Sequence, residues 1–480
     1  MQLRLLLGFL GILLIFLSLF MLFPLFFAFY YKEDITPLST SFLITLVVGL
    51  LLFLFFRSPK RELRIRDGFA LVTLGWITSA FFGALPFYLG HFFPSFVDSY
   101  FEAMSGFTTT GASVLTEIEH LPKGILFWRS LTHWLGGMGI IVFSLALLPL
   151  LGVGGMQLFK AESPGPVADK IKPRIAETAK TLWKIYILIS GVEAFLLMLG
   201  GMNLFEALCH TFGTMATGGF STKNTSIGSY NSAFIDWVII IFMVVAGANF
   251  SLHYRFLTGK FKSYFNNTEF KFYIAVIVVS IVIFTIILRL HIYDNIFSAL
   301  RHGAFQVCSI MTTTGYTTAN FEKWPYFTQF FLVILMFIGG SAGSTGGGIK
   351  CIRIYILLKH GYRELLKLVH PKAVISLKMG KKAIPYDILQ SIWGFFFLFM
   401  FIFVLASLAM TLLGLDIITS FVSVAATINN IGPGLGTVGP AENYAHIPVI
   451  GKWILIFCML VGRLELYTVI VMFIPEFWKK

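Results

Sequence analysis

Long runs of apolar residues recur along the whole chain and limit its fold more than any other feature. Ten of these runs are long enough to cross a bilayer, since a spanning helix needs about 20 residues. Only 12% of the residues are charged, about half the usual share of a soluble domain. The sequence therefore predicts an all-α polytopic membrane protein and argues against an ordinary soluble enzyme. The predicted spans are 5–30, 38–56, 68–89, 125–151, 181–200, 233–257, 272–291, 326–358, 386–413 and 448–474.

Basic residues are concentrated in four segments between these runs. The segments 57–66, 160–184, 255–271 and 350–382 hold 24 of the 36 lysines and arginines. The positive-inside rule places such segments on the cytoplasmic side, together with both termini. The net charge of +13 is thus an orientation signal, and no nucleic-acid partner is expected. A cytosolic protein that docks on 350–382 remains possible.

Four moderately apolar pieces lie between pairs of spans and are too short to cross a bilayer. Such pieces are typical of re-entrant half-helices, whose non-helical ends are tolerated where they line a cavity. The predicted architecture is two N-terminal spans followed by four span, half-helix, loop, span repeats around one pore. The leading spans occupy 1–67, and the repeats occupy 68–160, 161–260, 261–360 and 361–480.

Each short piece closes on a glycine, and these glycines are 108, 96 and 117 residues apart. A fourfold internal repeat lets four loops of one chain surround a single axis. Backbone carbonyls from four loops can replace the water shell of a monovalent cation without adding fixed charge. One such loop alone would equally fit a helix C-cap, but four equivalent copies favour a cation filter. The predicted filter residues are Thr109, Thr110, Gly111, Thr217, Gly218, Gly219, Thr313, Thr314, Gly315, Asn430, Ile431 and Gly432.

The four-loop pattern, with the run Thr427–Gly434 in the last repeat, resembles the ion-conducting membrane subunit of Trk-type bacterial potassium uptake systems. The two leading spans are similar to the Trk subtype rather than to the shorter Ktr subtype. The resemblance implies a potassium ion as the bound and transported ion, a location in the bacterial inner membrane, a homodimer and a cytosolic ring of nucleotide-binding regulatory subunits. The fourth loop departs from the Thr-Thr-Gly form at Asn430 and Ile431, which leaves a less selective potassium and sodium permease as an alternative.

Six glycines within the ten residues 339–348 interrupt the eighth run. Each glycine costs about 1 kcal/mol relative to alanine in a helix, so the sequence predicts a break there. A Walker phosphate loop would end in Gly-Lys-Ser/Thr, whereas this run ends in Gly348, Ile349 and Lys350. The segment is either a flexible kink or a mobile intramembrane loop that lies across the ion path. The resemblance implies a gate, with the residues Gly339, Gly340, Gly343, Gly346, Gly347, Gly348, Lys350 and Arg463.

Two cations accompany this loop. Arg463 lies in the middle of the last span, where a charge is costly unless it faces a partner or water. It either pairs with a buried carboxylate or faces the pore beneath the filter and donates to the loop 339–348, the role that the resemblance supports. Lys350 is either a second barrier cation or an anchor at the inner surface, and the anchor is favoured.

Two other classes of function are compared with the pore. A sodium-coupled secondary transporter would have broken helices in paired halves around a midplane pocket. An intramembrane enzyme would need a nucleophile with a base, or a set of metal ligands, at membrane depth. The sequence contains neither pattern. Glu102, Glu206 and Asp416 flank the outer ends of the half-helices, where helix capping is favoured over a direct role in conduction.

Overall fold

The computed structural model describes residues 2–56, 65–146, 171–380 and 382–479. Large parts of the predicted basic segments 57–66 and 160–184 lie outside these ranges, as does the end of the predicted span 125–151. Helices account for most of the described residues. A two-stranded antiparallel sheet, β1 (Lys378–Met379) with β2 (Lys382–Ala383), was not predicted and lies in the basic segment 350–382.

The two leading spans are the helices α1 (Leu3–Tyr30) and α2 (Thr36–Phe56), which pack along each other. Glycine permits this close approach, because a Cβ on Gly11 would lie 2.6 Å from the backbone nitrogen of Phe53. Small residues at helix contacts are typical of membrane proteins, in which close packing replaces the hydrophobic effect between helices.

Four helical units follow, each with a short half-helix between longer helices. The first contains α3 (Ile65–Gly83), α4 (Leu85–Leu89), the half-helix α5 (Phe96–Phe107) and α6 (Lys123–Ala146). The second contains α7 (Ile171–Leu199), the half-helix α8 (Leu204–Met215), α9 (Ala233–Ala246), α10 (Phe250–Leu257) and α11 (Lys262–Asn266). The third contains α12 (Thr268–His291), the half-helix α13 (Ile296–Met311), α14 (Tyr326–Met336) and α15 (Cys351–Val369). The fourth contains α16 (Tyr386–Leu412), the half-helix α17 (Ile417–Ile428), α18 (Val449–Arg463), α19 (Tyr467–Ile470) and α20 (Pro475–Trp478).

The described residues include six helices that are long and apolar enough to cross a membrane, or eight if each of two bent helix pairs is one span. The bent pairs correct the prediction of straight spans at 233–257 and 448–474. α9 meets α10 at 101°, and α18 meets the segment Tyr467–Phe473 at 112°. The predicted span 326–358 is likewise divided between α14 and α15. Three of the four units are therefore broken at the same place, in the long helix that directly follows the half-helix.

Each half-helix begins at a polar cap residue. Ser95, Asn203, Asn295 and Asp416 each accept a hydrogen bond from a backbone N–H of the first turn. Such caps satisfy amide groups that would otherwise lack a partner within the protein. The hydrogen bonds from Thr419 hold the pKa of Asp416 below its usual range.

Candidate functional site

The four half-helices end in the same backbone turn. The residue two positions before each glycine is in the left-handed region of φ, and so is the glycine itself. The φ values are 51° and 80° for Thr109 and Gly111, 54° and 81° for Thr217 and Gly219, 62° and 82° for Thr313 and Gly315, and 55° and 93° for Asn430 and Gly432. This conformation is strained for β-branched threonine but tolerated by asparagine. The fourth loop therefore differs in side chain while its backbone follows the other three.

Hydrogen bonds fix this turn in each loop. The residue before the glycine donates its N–H to the carbonyl five residues earlier, which closes the end of the half-helix. The four bonds are 2.8 Å from Thr110 to Ser105, 2.7 Å from Gly218 to Gly213, 2.8 Å from Thr314 to Ser309 and 2.8 Å from Ile431 to Ala426. Ile431 thus takes the place that threonine or glycine has in the other loops.

The four loops contact one another in a closed ring. A Cβ on Gly111 would overlap the carbonyl oxygen of Gly218, which precedes the glycine of the second loop. The same relation holds from Gly219 to the Thr314 carbonyl, from Gly315 to the Ile431 carbonyl, and from Gly432 back to the Thr110 carbonyl. A ring that returns to its first member shows that the four glycines surround one centre. A side chain at any of the four would displace a carbonyl of the neighbouring loop.

All four glycines also line one cavity, which we call the entrance cavity. Its wall includes residues just beyond the loops, among them Ser221 and Thr317, and the charged residues Arg129, Lys223 and Glu442. Each glycine is followed by chain that turns into this cavity. The ring of glycines therefore forms part of the wall of this cavity.

The side chain of Asn430 connects the fourth loop to the first. Its amide nitrogen donates to the Thr110 hydroxyl at 2.9 Å and to the Met459 carbonyl at 3.0 Å. Thr110 also shares a hydrogen bond of 2.8 Å with Thr108. Asn430 accordingly links the first and fourth loops to α18, a role that the sequence pattern did not indicate.

The glycine-rich segment 339–348, called the gate loop below, lies directly against the ends of three half-helices. The Gly347 N–H donates to the Thr313 hydroxyl at 2.7 Å, and the Thr345 hydroxyl donates to the Met215 carbonyl at 3.0 Å. A Cβ on Gly347 would lie 2.6 Å from the carbonyl oxygen of Asn429. The gate loop thus approaches the ring from the side opposite the entrance cavity.

The gate loop also fills the break between α9 and α10. The Ser341 N–H donates to the Gly247 carbonyl at 2.9 Å, and the Phe250 N–H donates to the Gly343 carbonyl at 3.0 Å. A carboxylate oxygen of Glu269 accepts from the Ala342 N–H at 2.7 Å. These bonds satisfy backbone groups that a broken helix leaves open at membrane depth.

Arg463, the last residue of α18, is buried and donates to two backbone carbonyls. Its guanidinium donates to Thr345 in the gate loop at 2.6 Å and to Gly136 in α6 at 3.3 Å. Within the described ranges no carboxylate lies within ion-pair distance of Arg463, and the nearby Glu465 pairs instead with Arg353 at 2.5 Å. The alternative of a structural pair between Arg463 and a carboxylate is therefore wrong for this part of the chain.

Lys350 is only 7% exposed, and its ammonium donates to the Gly346 carbonyl in the gate loop. An anchor at the inner surface would keep its ammonium in water. The favoured interpretation of Lys350 as an anchor is therefore wrong, because the side chain folds back onto the loop that precedes it.

The three carboxylates expected at the outer ends of the half-helices have different positions. Asp416 is a cap, and Glu206 accepts from the cap residue Asn203 at 2.9 Å. Glu102 lies in the middle of α5, fully buried, and forms a hydrogen-bonded ion pair with Arg129 of α6 at 2.6 Å. The capping expectation is wrong for Glu102. A signal was present, since an arginine and a glutamate in neighbouring apolar segments need partners.

Comparison with known proteins identifies the family that has this arrangement. The family model of TrkH, a cation transport protein, matches residues 37–480. The chain belongs to the TrkH family. The Trk system potassium uptake protein TrkH of Salmonella typhimurium is 45% identical over 100% of both chains, and that of Halomonas elongata is 43% identical over the same share. The crystal structure of the potassium transporter TrkH from Vibrio parahaemolyticus is similar with a TM-score of 0.93 and 40% identity, covering 100% of both chains.

Membership in the TrkH family confirms the resemblance to Trk-type subunits that the four-loop pattern indicated. It also confirms the all-α architecture of two leading spans and four repeats around one pore. Because the family consists of cation transport proteins, the chain is a multi-pass membrane transporter and not an enzyme.

Proposed function

We propose that this TrkH-family protein takes up potassium across the bacterial inner membrane through the ring of carbonyl oxygens. The relatives named as potassium uptake proteins support the choice of ion. The observation that carries the proposal is the closed ring, in which each filter glycine lies against the carbonyl that precedes the next glycine. Four carbonyls around one centre supply oxygens in place of the hydration shell of the ion.

The filter in this proposal consists of the twelve residues predicted from the sequence. The carbonyls of Thr110, Gly218, Thr314 and Ile431 face the ring, while Thr109, Thr217, Thr313 and Asn430 hold the turn that presents them. Each half-helix also directs the partly negative end of its dipole towards the ion. The equivalent backbone of the fourth loop favours a potassium filter over a less selective permease.

The gate in this proposal is the loop 339–348 with Lys350 and Arg463. Conduction requires the loop to leave the three half-helix ends that it contacts, which breaks the bond from Arg463 to Thr345 and that from Thr345 to Met215. The positive charge of Arg463 at membrane depth also repels a cation that passes the filter. The loop and the arginine therefore act on the same segment of the path.

The remaining parts of the proposal concern assembly and orientation. The basic segments fit an orientation with both termini in the cytoplasm. The four repeats begin near residues 68, 161, 261 and 361 in this proposal. The basic segment 350–382, with the exposed Lys372 and Lys378, is a suitable contact for a cytosolic nucleotide-binding regulatory ring. A homodimer is proposed on the family resemblance.

Isotopic rubidium uptake into liposomes that contain the purified protein tests the filter. Gly219→Ala is expected to abolish uptake, since the Cβ overlaps the Thr314 carbonyl and the φ of 81° disfavours alanine. Gly191→Ala is the matched control, because a Cβ there meets no atom within 4 Å. Excess potassium is expected to suppress uptake and equal sodium to leave it largely intact. Uptake by Gly219→Ala at the level of Gly191→Ala would overturn the proposal.

A further inference from the structure

A buried ion pair lies beside the ring, between the first half-helix and the helix that follows it, and its arginine also lines the entrance cavity. Arg129 of α6 donates through its Nε to a carboxylate oxygen of Glu102 of α5 at 2.6 Å. The exposed fractions of the two side chains are 2% and 0%. A buried pair gives little net stability, because desolvation of two charges offsets their attraction. Its contacts indicate a different role.

Glu102 binds the residues that directly follow the first filter loop, which we call the exit of that loop. Glu102 accepts from the Ser113 hydroxyl at 2.9 Å and from the Val114 N–H at 3.0 Å. These residues follow Gly111 by two and three positions. The carboxylate therefore fixes the chain just where it leaves the ring.

The arginine end of the pair holds the exit of the second loop. Its Nη1 donates to the Ser221 carbonyl at 3.0 Å, two residues beyond Gly219. The guanidinium also lies over the Phe220 ring, 3.5 Å from its centroid. The ion pair thus joins the exits of the first and second loops through charged hydrogen bonds.

Phe220 connects the ion pair to a histidine of the same helix as Arg129. The ring of this histidine, His133, stacks on the Phe220 ring at a centroid distance of 4.0 Å. His133 in turn shares a hydrogen bond of 2.8 Å with the Gly106 carbonyl of the first half-helix. A Cβ on Gly218 would meet the His133 ring. The Gly218 carbonyl, which faces the ring, is therefore held from behind by the same cluster.

At two other junctions, where one filter loop lies against the next, neutral groups form the contact. Between the second and third loops, the Tyr316 hydroxyl donates to the His210 carbonyl at 3.0 Å. Between the fourth and first loops, the Tyr444 N–H donates to the Ser113 carbonyl at 2.8 Å, while the Tyr444 hydroxyl donates to the Gly432 carbonyl of its own loop at 2.6 Å. The junction of the first and second loops is thus stiffened by charge-assisted bonds, which are shorter and stronger than neutral ones.

We propose that Glu102 and Arg129 are positioning residues that set the spacing between the first and second filter loops and thereby the discrimination of potassium from sodium. This inference rests on the proposed function of the ring as a potassium filter. The number and separation of the coordinating oxygens govern which ion replaces its water shell there. Neither residue is one of the twelve filter residues, so their removal is expected to change selectivity more than the capacity for transport.

Reversal potentials in mixed potassium and sodium, recorded from liposomes with the purified protein, test the inference. Two variants are used. Arg129→Lys keeps the charge but loses the paired donor geometry that reaches both Glu102 and Ser221. The double variant Glu102→Gln with Arg129→Gln removes both charges, so that neither is left buried without a partner. Each is expected to lower the potassium-to-sodium permeability ratio about tenfold. A change of this size corresponds to the free energy of one charge-assisted hydrogen bond.

The pair of Asp98 and Lys452 provides the control. Asp98 lies on the same half-helix four residues before Glu102, and its carboxylate meets the Lys452 ammonium at 2.5 Å with both side chains buried. Lys452 also donates to the Ala445 carbonyl, which is well beyond Gly432 in the chain. The double variant Asp98→Asn with Lys452→Gln is therefore expected to keep the permeability ratio of the unaltered protein.

The outcomes separate this inference from the proposed function. An unchanged ratio in either Arg129 variant, with rubidium uptake retained, overturns the positioning role and leaves the filter intact. A fall in the ratio of equal size in the Asp98 control also overturns it, since any buried pair would then have the same effect. If the unaltered protein carries no potassium, or if Gly219→Ala conducts normally, the proposed function itself fails.

Discussion

At the scale of single residues, the four loops of the proposed filter are more alike in backbone conformation than in residue type. Thr109, Thr217 and Thr313 occupy a region of φ that threonine avoids, and Asn430 occupies the same region. The sequence predicted the four glycines because their spacing repeats. It did not predict the left-handed threonines, since local preference opposes them. Asparagine tolerates this region. Asn430, which departs from the Thr-Thr-Gly pattern in sequence, therefore preserves the same turn.

Arg463 supports a prediction at this scale. Arg463→Ala removes two hydrogen bonds from a buried cation, including that to Thr345 in the gate loop. The closed loop is expected to lose stability, and the basal rubidium flux into liposomes to rise about tenfold, as expected for a lost bond to a charged group. Arg289→Ala, at the end of α12, is the control, since Arg289 is exposed and contacts only a carbonyl of its own segment. An equal basal flux in the two variants would contradict the role given to Arg463.

At the scale of elements, the positions of the helix breaks separate what the sequence predicts from what it leaves open. The break after α14 was predicted, because six glycines interrupt the run. The break between α9 and α10 was not predicted, because only Gly247 and Asn249 interrupt the apolar run 233–257 at that point. One glycine and one asparagine are a weaker signal than six glycines. The bonds from the gate loop to Gly247 and Phe250 satisfy this break, and such long-range contacts leave no local pattern.

Thr345 is one of the residues that attach the gate loop to the second repeat. Its hydroxyl donates to the Met215 carbonyl at 3.0 Å and to the Ala246 carbonyl at 3.1 Å. Thr345→Val keeps the shape of the side chain and removes both bonds. Basal rubidium flux is expected to rise roughly fivefold, as for the loss of a neutral hydrogen bond of about 1 kcal/mol.

A double variant tests whether the loop moves as one element. Since Arg463 donates to the carbonyl of Thr345 itself, the two substitutions loosen the same contact. Arg463→Ala with Thr345→Val is expected to raise basal flux by less than the product of the single effects. Thr328→Val, which removes a buried hydroxyl from the start of α14, is the control and is expected to combine with Arg463→Ala as an independent change. Multiplicative effects with Thr345→Val would show that the loop does not act as a unit.

At the scale of the whole molecule, the ring arises from contacts among all four repeats. The period near 100 residues predicted four equivalent loops around one axis, and the family match confirms that architecture. The sequence could not predict which carbonyl meets which glycine. It also did not predict the different contacts at the junctions, such as Arg129 with Ser221 and Tyr444 with Ser113. These contacts join residues far apart in the chain, and their types differ from repeat to repeat.

The orientation of the whole chain supports the last prediction. The four native cysteines are all buried, so introduced thiols can be labelled against a low background. Glu117→Cys places a thiol at a residue that is 71% exposed, in the loop after the first filter glycine. Lys372→Cys places one in the exposed basic segment that the positive-inside rule assigns to the cytoplasm. In intact cells, a membrane-impermeant maleimide is expected to label the first variant only, and permeabilised cells to label both. Labelling of Lys372→Cys alone in intact cells would reverse the orientation, and with it the direction in which an ion meets the filter before the gate loop.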